Sequence, residues 1–284
     1  MYVIKMKTII SYIALCAVII SSFALMRFAR TTSIMVSATQ EQIEVPIIMY
    51  HSILDKTNNY GKYIVSTDNF EKDLIYLQNN GYSTITMNDL IGYVYNGKSL
   101  PEKPIILSFD DGYYNNYKNA YPLLKKYNMK AVISIIGYYT DLYSDLGEEN
   151  PKYSHVTWDE IEEMTESGLV EIQNHSYNLH SLDKGRNGAK KNKNETTAQY
   201  EKVITEDIMK LQSRIIEETG LTPSTFVYPF GAVSEASYDI IKHLGFKASF
   251  SCQEGTNKIT QNPQCLYMLN RNLRTNKTPI EKLL

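Results

Sequence analysis

Seven short runs rich in β-branched and aromatic residues recur along this chain, and stretches with helical spacing separate them. The runs are VPIIMY (45–50), PIILSF (104–109), AVISII (131–136), LVEIQ (169–173), TFVYP (225–229), FKASF (246–250) and the weaker CLYMLNRNL (265–273). Between them, STDNFEKDLIYLQNNG opens with Ser66 or Thr67 as a helix cap and stops at Gly81. TWDEIEEMTESG carries a capping box, Thr157 with Glu160, and stops at Gly168. The long stretch before Gly220 sets Val203, Ile204, Ile208, Leu211 and Ile215 on one stripe. Strands that alternate with helices predict an α/β fold, because parallel strands need crossover connections and the helices that supply them cover the sheet. A closed barrel and an open doubly wound sheet both satisfy the pattern.

At 284 residues with 43% hydrophobic content, the chain can bury a sizeable core. A formal charge of -2, with no basic run interleaved with aromatics, excludes an electrostatic case for nucleic acid. The N-terminus differs in kind. Lys5 and Lys7 precede TIISYIALCAVIISSFALM (8–26), which carries no charge and is long enough to cross a bilayer. Residues 1–30 therefore read as a signal peptide or a membrane anchor: SFA at 22–24 suits cleavage, whereas the length of the run and the flanking Arg27 and Arg30 suit an uncleaved anchor. Either places the rest of the chain outside the cytoplasm, with the membrane as a partner of this segment alone. The polar stretch 31–44 reads as a linker and 45–284 as the folded domain. Cys16 is an apolar filler inside the run. Cys252 and Cys265 lack metal-site spacing, and in an exported compartment they either pair or remain free thiols.

In parallel α/β folds the loops after the strands converge at the strands' C-terminal ends, so polar residues there carry the chemistry. Those positions hold His51, the adjacent Asp110 and Asp111, His175 and His180, and YPFG at 228–231. Adjacent carboxylates at the end of an apolar strand repel each other and lose hydration, so something must neutralise them. Strand alternation alone turns the two in different directions. A carboxylate with two imidazoles is a common ligand set for a divalent cation that keeps positions open, and Asp111, His175 and His180 could supply it. HSYNLH is not a helical HExxH pair, because a five-residue separation puts the imidazoles on different faces; a turn must bring them together. The polar loop SLDKGRNGAKKNKNET (181–196) reads either as a solvated, mobile loop or as a lid over substrate.

Taken together, these stretches resemble the polysaccharide deacetylases of carbohydrate esterase family 4, the NodB-homology group. SFDDG (108–112) is similar to their first motif. NHSYNLHS (174–181) is similar to the second, in the longer-spaced form of the biofilm-type poly-N-acetylglucosamine deacetylases. VPIIMYHSI (45–53), TWDEIEEM (157–164) and YPFG look like the same branch, so the resemblance runs from about Val45 to the end. It implies a distorted (β/α) barrel of about seven parallel strands and a divalent ion, zinc foremost with cobalt or nickel as alternatives. It also implies hydrolysis of N-acetyl groups from an amino-sugar polymer. Poly-N-acetylglucosamine is the first expectation for that polymer. Peptidoglycan, chitooligosaccharides and O-acetylated xylan-type sugars are alternatives, and a non-catalytic carbohydrate-binding barrel is the reading from another class.

Carried over residue by residue, the resemblance makes Asp110 the general base and gives the metal to Asp111, His175 and His180. It assigns the backbone N–H of Phe230 to the oxyanion. Tyr228 and Pro229, which shape that turn, and Tyr113, in the aromatic GYYNNY, are candidates for substrate contact. Two departures stand out. STFVYPFG has no arginine to orient the base, and no histidine follows His243 to act as general acid. His51 is the candidate donor to the leaving amine; its alternative role is a hydrogen bond to substrate or a neighbouring loop. His155 precedes a helix cap and His243 sits late in a helix, where a cation suits the dipole, so neither needs a site role. Trp158 reads as packing.

Overall fold

The computed structural model describes residues 6, 17–24, 42–55, 61–182 and 185–284. Two units separate, Met1–Glu41 and Gln42–Leu284. In the first, residues 17–24 are helical; the remainder of the apolar run 8–26 lies outside the described residues. Among the described residues no helix is long and apolar enough to cross a membrane.

In the second unit, strands β1 (Ile47–Tyr50), β2 (Pro104–Phe109), β3 (Ala131–Ile135), β4 (Val170–Asn174), β5 (Thr225–Val227), β6 (Ala248–Phe250) and β7 (Asn272–Leu273) form one parallel sheet. Their order is β6-β5-β4-β3-β2-β1-β7, with Ser83–Thr84 added beside the start of β2. The sheet curls until its edges are laced by one segment. Leu269 bridges to Phe250 of β6, through Leu269 N–H to Ser249 O at 2.8 Å and Ser251 N–H to Leu269 O at 2.9 Å; three residues later, Asn272 and Leu273 pair with Ile48 and Met49 of β1. This is the distorted barrel, and it removes the open doubly wound alternative.

β1, β2 and β3 are buried at every position, which is why they read as continuous apolar runs rather than alternating ones. Period-two alternation still sorts their side chains. Leu107, Phe109 and Ile133 pack with Phe70, Leu74, Ile161 and Met164 of the covering helices; Ile106 and Val132 join Val227, Phe250 and Leu269 on the other face. The covering helices are α1 (Thr67–Asn79), α2 (Met87–Asn96), α3 (Tyr121–Tyr127), α4 (Gly137–Leu146), α5 (Trp158–Glu166), α6 (Thr197–Thr219) and α7 (Glu235–His243). Ser66 caps α1, and Thr157 with Glu160 forms the capping box of α5. On α6 the stripe is Tyr200, Ile204, Ile208, Leu211 and Ile215, whereas Val203 is 37% exposed: Tyr200, one turn before Ile204, takes the place expected of Val203. At the N-terminal ends of the strands the Asn88 N–H of α2 donates to Glu171 Oε2 at 3.0 Å. The opposite ends carry the polar residues.

Smaller pairings complete the fold. Ile43–Val45, at the end of the stretch read as a linker, runs antiparallel to Asn257–Ile259, and Ser52–Leu54 runs parallel to Ile64–Ser66. Of the run 265–273 only β7 is strand; Pro263–Leu266 is a 3₁₀ turn.

Candidate active site

β2 delivers two carboxylates in succession, and the backbone rather than the pleat sends them apart. Asp111 has φ of 73°, a left-handed conformation rare for a residue with a Cβ, and Gly112 follows at 68°. A Cβ on Gly112 would meet Ile135 Cγ2 at 2.9 Å, so only glycine lets the turn press against β3. The expectation that strand alternation alone separates the pair is corrected by this turn.

Asp110 faces a guanidinium. Arg271 Nη1 and Nη2 donate to its Oδ1 and Oδ2 at 2.6 and 2.8 Å, while Arg271 Nε donates to Ser251 O at 2.9 Å. The arginine is fully buried, in the segment that laces the sheet edges. Burial raises the pKa of Asp110, but the Arg271 charge outweighs it and holds the carboxyl below its ordinary value. The arginine absent from STFVYPFG is therefore replaced in space by Arg271. The one hint in sequence was a lone cation inside the weakest of the predicted strands.

Asp111, His175 and His180 converge. Asp111 Oδ1 lies 3.5 Å from His175 Nε2 and 3.3 Å from His180 Nε2, and one ligand atom from each residue falls within 4.8 Å of the others. Asp111 Oδ1 is buried without a hydrogen-bond partner. His175 Nδ1 lies 2.8 Å from Val227 O, so it carries a proton and turns Nε2 toward the carboxylate. Burial disfavours charge on His175, but Asp111 and Asp110 outweigh it and raise its pKa. Burial and the neighbouring His175 instead push His180 down to about 4, which leaves its ring neutral. Two imidazole nitrogens aimed at one orphaned carboxylate oxygen fit a divalent cation, which would displace the proton from His175. These three residues could hold a metal ion.

Around them opens a pocket of about 540 Å³, lined also by His51, Asp110, Tyr113, Phe230, Tyr63, Lys62, Lys152, Glu254 and Cys252. His51 Nε2 is 4.0 Å from Asp110 Oδ2, its ring lies 4.6 Å from Tyr63, and burial lowers its pKa against the pull of both aspartates. The Phe230 ring lies tilted against His180, centroids 4.1 Å apart, and Phe230 has φ of 59°; the hydrogen bonds of its turn run from Gly231 N–H to Tyr228 O and from Ala232 N–H to Pro229 O, and neither uses the Phe230 N–H. Tyr113 rests on the buried His155 at 4.8 Å, so His155 backs the pocket wall.

Other expected residues are placed elsewhere. Tyr228 is buried, with its hydroxyl 2.9 Å from Ser237 Oγ, and neither it nor Pro229 lines the pocket: both shape the turn beneath Phe230. Trp158 packs against α4, donating to Asp141 at 2.9 Å, and His243 ends α7. Cys252 and Cys265 are free thiols. Within 181–196, Ala189 is buried, Tyr200 Oη donates to its carbonyl at 2.7 Å and the Lys191 N–H donates to Ser234 Oγ at 2.9 Å. That stretch docks on the Phe230 turn, and Asn187 and Lys190 line a second depression that shares Phe230 and Cys252 with the pocket.

A family model described as polysaccharide deacetylase matches residues 97–249. The chain belongs to the polysaccharide deacetylase family. Among curated members, it is 26% identical over 232 residues to the poly-beta-1,6-N-acetyl-D-glucosamine N-deacetylase of Escherichia coli K12, covering 75% of this chain and 34% of that protein. To the protein of the same name from Staphylococcus aureus N315 it is 30% identical over 193 residues, 68% of this chain and 62% of that one. It thus spans about a third of the length of the former and less than two thirds of the latter. Among solved members of this fold, a de-N-acetylase from Aggregatibacter actinomycetemcomitans superposes with a TM-score of 0.72 at 28% identity, over 85% of this chain and 100% of that one.

Proposed function

We propose that this chain hydrolyses N-acetyl groups from an N-acetylglucosamine polymer, poly-β-1,6-N-acetylglucosamine foremost, with a divalent metal ion, zinc foremost. One observation carries the reading. A buried, ionised carboxylate, Asp110, and an aspartate–histidine–histidine trio open onto the same pocket. The printed names of the curated relatives support the choice of polymer. The uncharged segment 8–26 supports work outside the cytoplasm, with the chain anchored or secreted.

Asp111, His175 and His180 would hold the ion, which when bound polarises an acetamide carbonyl and makes a water more acidic. Asp110 takes the proton of the attacking water, and the Arg271 fork keeps it ionised and aimed. The Phe230 N–H, left out of the hydrogen bonds of its own turn at the pocket wall, would donate to the oxyanion that attack creates. The departing amine then needs a proton. His51 is neutral because burial depresses its pKa, so the proton it hands on comes from Asp110 within the same turnover. A carboxyl whose pKa is held low gives up that proton readily.

The test is acetate release from poly-β-1,6-N-acetylglucosamine, peptidoglycan and chitin oligomers. Chelator is expected to abolish release and added zinc to restore it. Asp110→Asn is expected to fold and to lose about 10²- to 10⁴-fold in rate. Acetate release that survives chelation would refute the metal-dependent reading. Polymer binding with no turnover of any acetylated glycan would favour a non-catalytic barrel.

A further inference from the structure

His175 and His180 reach one carboxylate although five residues separate them, and the turn between them has no helical or strand ladder to hold it. Ser176 lies in the left-handed region at φ 72°. Four consecutive amides of this turn nevertheless find side-chain acceptors. Ser176 N–H donates to Asn174 Oδ1 at 2.9 Å, Tyr177 N–H to Asp207 Oδ1 at 2.7 Å, Asn178 N–H to Asp207 Oδ2 at 2.9 Å, and Leu179 N–H to Ser176 Oγ at 3.1 Å. Asn174 and Ser176 are local. Asp207 stands on α6, the same helix whose Ile208 carbonyl and Gln212 receive the Asn174 amide at 3.0 and 3.2 Å.

We propose that Asp207 is a positioning residue of the metal centre: its two oxygens capture adjacent amides of the 176–179 turn and so bring His175 and His180 together at Asp111. Each oxygen of Asp207 takes one of the two adjacent amides, so an asparagine in the same place would set its NH2 donors against one of the two N–H groups. The chain keeps a charge there at a cost, since burial lifts the Asp207 pKa to about 6 despite both N–H donors, Lys210 and Arg186. Tyr177, at the centre of the turn, is held further by Lys210 Nζ over its ring at 3.6 Å and by its hydroxyl on Asp141 at 3.0 Å. Asp207 bonds to the amides between the two histidines, has no hydrogen bond or ion pair to either ring and does not line the pocket, so it acts through the turn.

This inference rests on the metal reading of the trio, and the experiment separates the two. Zinc dissociation constants are measured by chelator competition on the full chain and on Asp207→Asn, with circular dichroism confirming the fold. Wild type is expected to bind, and Asp207→Asn to bind about ten- to a hundredfold more weakly, with a fall in kcat larger than any change in KM. Binding within twofold of wild type by folded Asp207→Asn overturns the role of Asp207 and leaves the metal reading standing. Absence of zinc uptake by wild type overturns both. Should Asp207→Asn fail to fold, Asp207→Glu keeps both oxygens on a longer arm: weaker zinc binding supports the proposal, and unchanged affinity overturns it.

Discussion

Asp110 keeps its charge because Arg271, 161 residues away in the chain, reaches it with both terminal nitrogens. A buried carboxylate left alone would neutralise by raising its pKa, and a neutral carboxyl is no base. Arg271→Met is therefore expected to lower kcat/KM by about 10²-fold or more and to move the acidic limb of its pH profile upward. The sign follows from the pair: Arg271 depresses the Asp110 pKa, so its removal raises that pKa, and the base works only above it. Breaking such a pair from one side also costs about 3–5 kcal/mol of stability, readable as a lower denaturation midpoint. Arg271→Lys keeps the charge but loses the fork, so it is expected to retain more of the stability than of the rate. An unmoved acidic limb in folded Arg271→Met would remove Arg271 from the control of Asp110.

At the scale of elements, the parts that sequence made legible are those whose signals are local. Caps, the glycine stops and the strands β1 to β6 depend on neighbours in the chain, and the stretches that announced them became those elements. The histidines and aspartates were legible for a related reason: each sits at the end of a run whose direction was already known. Arg271 was not, because β7 is two residues long and the segment owes its place to partners on both edges of the sheet; an arginine flanked by two asparagines at the end of a weak strand signal reads as surface. Asp207 was invisible likewise, since an acidic residue on the partly polar face of α6 looks solvated until the turn it binds is in place. The loop 181–196 shows the limit from the other side. Its composition suggested mobility, yet Gly188 lies at φ 55° and a Cβ there would stand 2.5 Å from Pro229 O. Gly188→Ala is accordingly expected to lift the loop from the Phe230 turn. It should cost about 1 kcal/mol or more in thermal unfolding and speed proteolytic nicking within 181–196. Wild-type resistance to nicking in this variant would show that the contact does not hold the loop.

Across the whole molecule, the pocket wall at Tyr113 is backed by a ring that stays uncharged. His155 is buried, stacked on Tyr139 at 4.4 Å and Tyr143 at 5.6 Å and in tilted contact with Tyr113, and burial pushes its pKa down to about 4. A histidine whose folded pKa lies below its unfolded value of about 6.5 contributes stability that is fully present above that value and is lost as pH falls through the folded one. The loss through this single ring is on the order of 3 kcal/mol between about pH 6.5 and pH 4. Glu160 and Asp207, raised to about 7 and about 6 by burial, work in the opposite sense, because their contributions are present in acid and lost as pH rises. The absolute pH dependence is therefore a balance, and a difference between variants isolates one part of it. His155→Phe keeps a flat ring between the tyrosines and removes the titration, so the stability of wild type minus that of the variant is expected to fall as pH is lowered from 6.5 to 4. Denaturant midpoints of the metal-free chain across that window measure it. A difference that stays constant with pH would mean that His155 is not held neutral in the fold, and that the wall behind Tyr113 rests on packing alone.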